Sequence, residues 1–484
     1  MARKSFDLVQ NEHSIPARYI QVLLMFTAIL LVFYQRVNLS VAIVALNSLD
    51  ETTTTNASQP KFNYSGLTPH QRSSILGSIF WGTFSVQLLS GYLGSHYGTV
   101  KLLFGCVLGS SLISIGLPFA LIYFGFEAFV ALRVVQGCAQ GIVFPAVYAH
   151  LAKWSPLKER SLLGGISQSG MDMGMALGFL CSGLLAVTAL GWRAIFYVPG
   201  LVGILWSVFW LIFAAESPQK CRYIAQQELT LLAEITVVAP TEKRKARIPW
   251  CAILTSAPYL VLVLVKLSHG LSIFTLMQQI PLYINGLYDY EIHVNALLSA
   301  LPFFLMFVTS HLVTFTAHYL LVVRKCSLAL VRKSLNTVST WVPAAAFVAM
   351  TLIRSEEQVT ANIICLIVAV MTYAAAAVGS SLNHIDLSPN FGGMLVGMTN
   401  MVMTGMGVIS PIAVAEVVKD ENDRSQWNII FLIIAALLFL GNLLYLFFGK
   451  MVAQPWDEIE APAERSTTNN VESMETAVFR TNKK

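Results

Sequence analysis

The run RVVQGCAQGIVFPA, residues 133–146, holds the side chains best suited to chemistry. Read as a helix, Arg133, Gln136, Gly137, Gln140, Gly141 and Phe144 recur at i, i+3, i+4, i+7, i+8 and i+11. One face then carries a guanidinium, two amides and two bare backbone patches. The surrounding residues, from Glu127 to Lys153, are mostly apolar and long enough to cross a bilayer. An Arg at membrane depth costs at least about 2.5 kcal/mol, so it turns to a bundle interior or a water-filled cavity and marks a site. Snorkelling to the headgroups would account for Arg133 but not for the two glutamines below it. The chemistry such a face offers is charge-assisted, bidentate hydrogen bonding to an anion.

Other spans add candidates. YQRVNLSVAIVAL places Arg36 and Asn38 well past the middle of the first apolar run, where a second buried Arg is too expensive to be incidental. GGISQSGMDMGMALG places Asp172 near the midplane, either as a site for a coupling cation, Na+ or H+, or as the ion-pair partner that neutralises Arg36 or Arg133. Lys266 and His269 share one face of VKLSHGLSIFTLMQQIPLY, with His269 as a further site-lining residue or a hydrogen-bonded packing residue. In SSLNHIDLSPNFGGMLVG, Asn383, His384 and Asp386 precede a turn forced by Pro389 and two glycines, a place for gating or packing. In KWSPLKERS, Pro156 ends the helix and Glu159 and Arg160 can pair.

The elements that position these residues follow from composition. Of the 484 residues, 55% are hydrophobic and 12% charged, about half the charge of a soluble domain. The chain is therefore expected to be an all-α polytopic membrane protein. Its apolar runs predict twelve spans, near 20–46, 74–95, 101–124, 127–151, 162–188, 192–214, 258–284, 294–317, 333–353, 360–384, 391–416 and 427–448. A polar break after the sixth divides them into two six-helix bundles, residues 20–214 and 258–450, joined by a central loop over 215–257 with an amphipathic piece at 223–236. A leader (1–19) and a charged, Thr- and Asn-rich tail (451–484) with the composition of disorder flank them. Arg3, Lys4, Lys101, Lys153, Lys243, Arg324 and Lys450 all fall on one side of this arrangement, which predicts that both termini are cytoplasmic. The Asn56 and Asn63 sequons then lie in an outer loop open to glycosylation.

The net charge of +5 sits in short loops rather than in one patch, so no nucleic-acid partner is expected. The seven cysteines show no metal-binding or disulfide spacing. Neither a nucleophile–base pair, a metal cluster, a cofactor loop nor a large extramembrane domain is visible, which argues against an enzyme or a receptor. A monomer in the bilayer, without metal or cofactor and acting on a small anion, is expected.

With these pieces in place, the chain from about residue 20 to 456 resembles the anion:cation symporter branch of the major facilitator superfamily. That branch contains the type I sodium-phosphate and organic-anion cotransporters, sialin, and the vesicular glutamate and nucleotide transporters. The resemblance is carried by QRVNLSVAI, LRVVQGCAQGIVFPA, KWSPLKERS, SLNHIDLSPNFGGMLVG and the region of Trp456. It implies the major facilitator fold, with anion binding at Arg36 and Arg133 and transport by alternating access. Where the vesicular glutamate transporters have a span 7 Arg this chain has His269, and where they have a span 2 His it has Leu76. Gln140 and Gln136 stand where sialin has span 4 glutamates, the first of them shared with the glutamate transporters. These departures point away from a vesicular glutamate or proton-driven sialic acid carrier. The expected function is Na+- or H+-coupled symport of phosphate or an organic anion at the plasma membrane. The alternative is a vesicular or lysosomal organic-anion carrier driven by membrane potential or H+.

Overall fold

A computed structural model describes residues 16–52, 68–156, 159–238, 248–353 and 358–457. Asn56, Asn63, the basic run 243–247 and the tail from 458 onward lie outside the described residues. The apolar runs fold as helices, because a backbone surrounded by hydrocarbon has only itself to hydrogen-bond. Span 1 is Ala17–Thr52, span 2 Pro69–Tyr97, span 3 Thr99–Tyr123, span 4 Gly125–Trp154, span 5 Arg160–Ala186 and span 6 Ala194–Phe213. Span 7 is Ala257–Tyr288, span 8 Ile292–His318, span 9 Leu328–Leu352, span 10 Val359–Leu387, span 11 Gly392–Val417 and span 12 Arg424–Phe448. Among the described residues, eleven are long and apolar enough to cross a membrane. Span 2, with its Ser, Gly and Gln side chains, is the more polar one.

The packing repeats with an offset of six. Span 1 packs on spans 5 and 6, span 2 on 4, and span 3 on 4 and 6; span 7 packs on 11 and 12, span 8 on 10, and span 9 on 10 and 12. The two sets meet through spans 5 and 8, 2 and 11, and 1 and 7. Small residues set these distances. A Cβ on Gly82 would lie 1.9 Å from the Val134 carbonyl oxygen and one on Gly137 would lie 2.0 Å from that of Ile79, so spans 2 and 4 touch backbone to backbone. Span 5 approaches span 1 in the same way, with Gly170 against Phe26 and Gly174 against Leu30.

Two spans in corresponding places are interrupted. Span 4 breaks at Ile142, because Pro145 has no N–H to give to the Gly141 carbonyl. Span 10 tightens to a 3₁₀ turn at Tyr373–Ala375 and breaks again before Asn383. Interrupted helices at equivalent positions of two repeats are the strongest structural pointer to a transport site.

The end of the bundle bearing Ala17, here the N-terminal face, is tied together by carboxylates. Glu216, after span 6, accepts hydrogen bonds from the N–H groups of Thr99 (3.1 Å) and Val100 (2.9 Å) and pairs with Lys153. Burial alone would raise Glu216, but these bonds bring it down to about 2. They pin the turn between spans 2 and 3, where Gly98 takes φ 81° and a Cβ would come 3.2 Å from the Glu216 side chain. Glu159 pairs with Arg18 of span 1 at 3.0 Å, a partner far away in sequence. The expected Glu159–Arg160 pair involves the Arg160 side chain, which lies outside the described residues. The amphipathic stretch forms the helix Gln226–Val238 and docks here, its Glu228 accepting the Ala17 N–H at 2.8 Å. At the opposite, distal end, Arg72 of span 2 pairs with Glu421 beyond span 11 at 3.1 Å. All seven cysteines are free.

Candidate functional site

Spans 1, 4 and 3 build one polar knot in the apolar interior of the first half. Arg133 donates through Nη1 to the Gln35 carbonyl (3.0 Å) and to Gln136 Oε1 (3.1 Å). Arg36 donates through Nε to Gln140 Oε1 at 2.9 Å. The amide hydrogens of both span 4 glutamines go to span 3 and to Gln35: Gln136 to the Ser110 carbonyl (3.1 Å) and Gln140 to Ser110 Oγ (2.9 Å). Gln35 Oε1 accepts from Ser110 Oγ at 2.6 Å and from both glutamines at 3.3 Å. Arg133 reaches the carbonyl of the residue preceding Arg36, and the two guanidiniums lie within electrostatic range of each other.

Neither guanidinium has a carboxylate. Among the described residues no ion pair includes Arg36 or Arg133. Arg133 is 1% exposed and Arg36 8%. Arg133 Nε and Nη2 and Arg36 Nη2 are buried without a hydrogen-bond partner. The Arg36 guanidinium stacks 4.7 Å from the Phe33 ring and 5.8 Å from that of Phe80. The amide network orients the donors without cancelling their charge. Two adjacent cations in a low-dielectric pocket repel, and a negative solute between them relieves the repulsion and fills the unused donors.

Several predicted residues lie elsewhere. Gly137 and Gly141 of the span 4 face meet span 2 instead of lining a cavity. Asn38, two residues and about 200° from Arg36 on the same helix, turns to span 6 and donates to the Ile195 carbonyl at 3.1 Å. His269 is fully buried in the second half, with Nε2 3.3 Å from Ser339 Oγ and the ring 5.0 Å from Tyr373. Lys266, one turn below, donates to Ser381 Oγ at 2.6 Å. Asp386 forms a part-buried ion pair with Arg332 of span 9 at 2.9 Å, and Asn383 donates to the Tyr445 hydroxyl at 2.9 Å. Both contacts stay within the second half.

Asp172 pairs with neither arginine. It sits midway between Gly170 and Gly174, hence level with residue 28 of span 1 and about 12 Å below Arg36 along that helix. The ion-pair expectation therefore fails: the carboxylate is 4% exposed and its Oδ1 has no partner. Sequence reasoning missed Gln35 and Ser110, although Gln35 was visible as an amide adjacent to Arg36 inside an apolar run. It also missed Tyr373, for which periodicity offers no signal.

The profile of the Major Facilitator Superfamily matches residues 25–411. The chain belongs to the major facilitator superfamily. It is 31% identical over 405 residues to a "Putative inorganic phosphate cotransporter" of Drosophila ananassae, covering 82% of this chain and 83% of the relative. Human "Sialin" is 28% identical over 91% of this chain and 90% of its own, and human "Vesicular glutamate transporter 2" is 28% identical over 93% and 77%. Among solved structures, a bacterial homologue of the human lysosomal transporter Spinster, inward-facing and unoccupied, superposes with a TM-score of 0.67 at 16% identity, over 91% of this chain and 100% of that one. A D-xylose-proton symporter gives 0.68 at 16% identity, over 89% and 97%. This superfamily chain is thus an integral, multi-pass transporter and not an enzyme.

Proposed function

We propose that this transporter carries a small anion, inorganic phosphate or an organic anion, bound between Arg36 and Arg133 and coupled to Na+ or H+ through Asp172. The observation that carries this reading is the pair of buried guanidiniums from spans 1 and 4 that share one amide network, keep unused donors and have no carboxylate. The related proteins named for inorganic phosphate and for glutamate transport handle anions by their names, which agrees with that chemistry.

Alternating access suits the arrangement. Residues 31–45 of span 1 and 268–284 of span 7 are buried throughout, so the bundle is closed on the distal side, where Arg72 and Glu421 bridge the halves. At the N-terminal face spans 4 and 10 make at most marginal contact. Closing that face while the distal ends part would carry a solute bound at the arginines from one side to the other. We place the N-terminal face in the cytoplasm, because the described helix ends and connections there carry Lys101, Lys220, Arg222, Arg324 and Lys325. We place the protein, as a monomer, in the plasma membrane.

The test is uptake of radiolabelled inorganic phosphate and a panel of small organic anions into proteoliposomes, with Na+, pH and voltage varied in turn. Saturable uptake of one of them, driven by a Na+ or H+ gradient and lost in Arg133→Ala, is the expected result. Normal saturable uptake by Arg133→Ala removes Arg133 from the site. Uptake that follows voltage and ignores both cations would mark a potential-driven carrier instead.

A further inference from the structure

Asp172 lies on the seam between the two halves. Asp172, Ala176, Phe179 and Gly183 fall at helical spacing on one face of span 5. That face meets span 8: a Cβ on Gly183 would lie 2.1 Å from the Ala296 methyl, and the Phe179 and Phe303 rings stack at 5.3 Å. From the second half Tyr373, at the 3₁₀ break of span 10, comes within electrostatic reach of the Asp172 carboxylate, and the His269 ring packs edge-on behind it. A nine-tenths-buried carboxylate with an unpartnered oxygen thus faces the surface across which the halves must move.

We propose that Asp172 is a proton-binding site, carried as the neutral acid while the seam is packed, with Tyr373 as its neighbour across the seam. This rests on the transport reading above and assigns H+, not Na+, as the coupling ion at this residue.

The surroundings decide between the two cations. A hard cation needs several oxygen ligands. Asp172 is flanked in sequence by Met171, Met173 and Met175 and by Gly174, whose thioethers and bare backbone are poor ligands for Na+. An ionised carboxylate without hydrogen bonds is far costlier to bury than a protonated one.

The charged and titratable groups on the packed elements are engaged elsewhere. On span 1, Arg36 is held by Gln140 and Arg18 by Glu159 and Glu228. On span 4, Lys153 is held by Glu216, His150 lies between Thr99 and Gln21, and Tyr148 takes Gln168. On span 8, His311 meets the Phe307 carbonyl, and at the start of span 6, Arg193 lies over Trp192. Among the phenols of the second half, Tyr373 of span 10 interacts electrostatically with the carboxylate.

The cycle balances in protons. Water on one side gives H+ to the carboxylate, the halves rock with the acid neutral, and the acid returns H+ to water on the other side. One proton crosses for each passage.

Infrared difference spectroscopy on the full chain in lipid nanodiscs tests this, with aspartate labelled by carbon-13 at its side-chain carboxyl. The expected result at neutral pH is a protonated-aspartate carbonyl band that shifts with the label, is lost in Asp172→Asn and is unchanged by Na+. In Tyr373→Phe its titration midpoint should move. The difference between wild type and Asp172→Asn separates this band from any contribution of the other aspartates. Absence of the band at neutral pH, its survival in Asp172→Asn, or its loss on adding Na+ at fixed pH would each overturn the proposal. The labelled wild-type titration and the Na+ arm need no variant, so a poorly folded Asp172→Asn does not blunt the test. Anion binding plays no part in the readout, so failure of the anion reading and failure of this inference are seen separately.

Discussion

The two halves treat their buried cations differently. In the first, Arg36 and Arg133 are oriented by neutral amides and keep buried donors unused. In the second, Arg332 is neutralised by Asp386, Lys266 is bonded to Ser381, and His269 meets Ser339. Equivalent packing therefore leaves both buried arginines of the first half without a carboxylate among the described residues and gives the buried Arg332 of the second half one. A buried charge means little until its partners are counted.

The sharpest break of that contrast is Arg332→Ala. It should lower stability by about 1–3 kcal/mol by leaving the part-buried Asp386 and the Val378 carbonyl without their donor, while anion affinity in the surviving folded fraction stays at the wild-type value; thermal unfolding in detergent alongside a binding assay reads both. A drop in affinity with unchanged stability would move the second half into the site. Next is Gly137→Ala, whose methyl would strike the Ile79 carbonyl. Overpacking there should cost about 1–3 kcal/mol and, by separating spans 2 and 4, weaken anion binding as well.

Gln140→Ala removes the acceptor that holds Arg36 and should cost about 1–1.5 kcal/mol, a roughly tenfold weaker anion constant in equilibrium binding. For Glu216, held near 2 against an ordinary 4.5, the stabilisation is fully present above pH 4.5 and is lost as pH falls toward 2. Glu216→Gln should therefore unfold at a lower temperature than wild type at pH 7, with the gap closing on acidification through that window. Smallest of all, His269→Gln should leave anion affinity within about twofold, because its bonded nitrogen faces span 9.

How much of this was legible follows from the kind of signal. Span positions were readable because twenty-residue apolar runs are set by bilayer thickness, and the ends differ from expectation by only a few residues. Arg36 and Arg133 were readable because a charge inside such a run is costly. Direction was not: Asn38 and Arg36 share one helix segment, yet one serves span 6 and the other the polar knot. Long-range partners were also hidden, since Arg332 with Asp386 and Arg18 with Glu159 are joined only by tertiary packing. Asp172 was readable as a deep carboxylate, while its separation from the arginines had to come from the depth of the glycine contacts between spans 5 and 1.

The most direct measurement is equilibrium binding of the transported anion to purified Arg133→Lys and Lys266→Met, side by side with wild type. A lysine keeps the charge but not the forked donors that reach the Gln35 carbonyl and Gln136 while leaving others free. Arg133→Lys should bind roughly a hundredfold more weakly, about 2.7 kcal/mol, and Lys266→Met should bind as wild type does. Wild-type affinity in Arg133→Lys, or its loss in Lys266→Met alone, would contradict an anion site built by the first half.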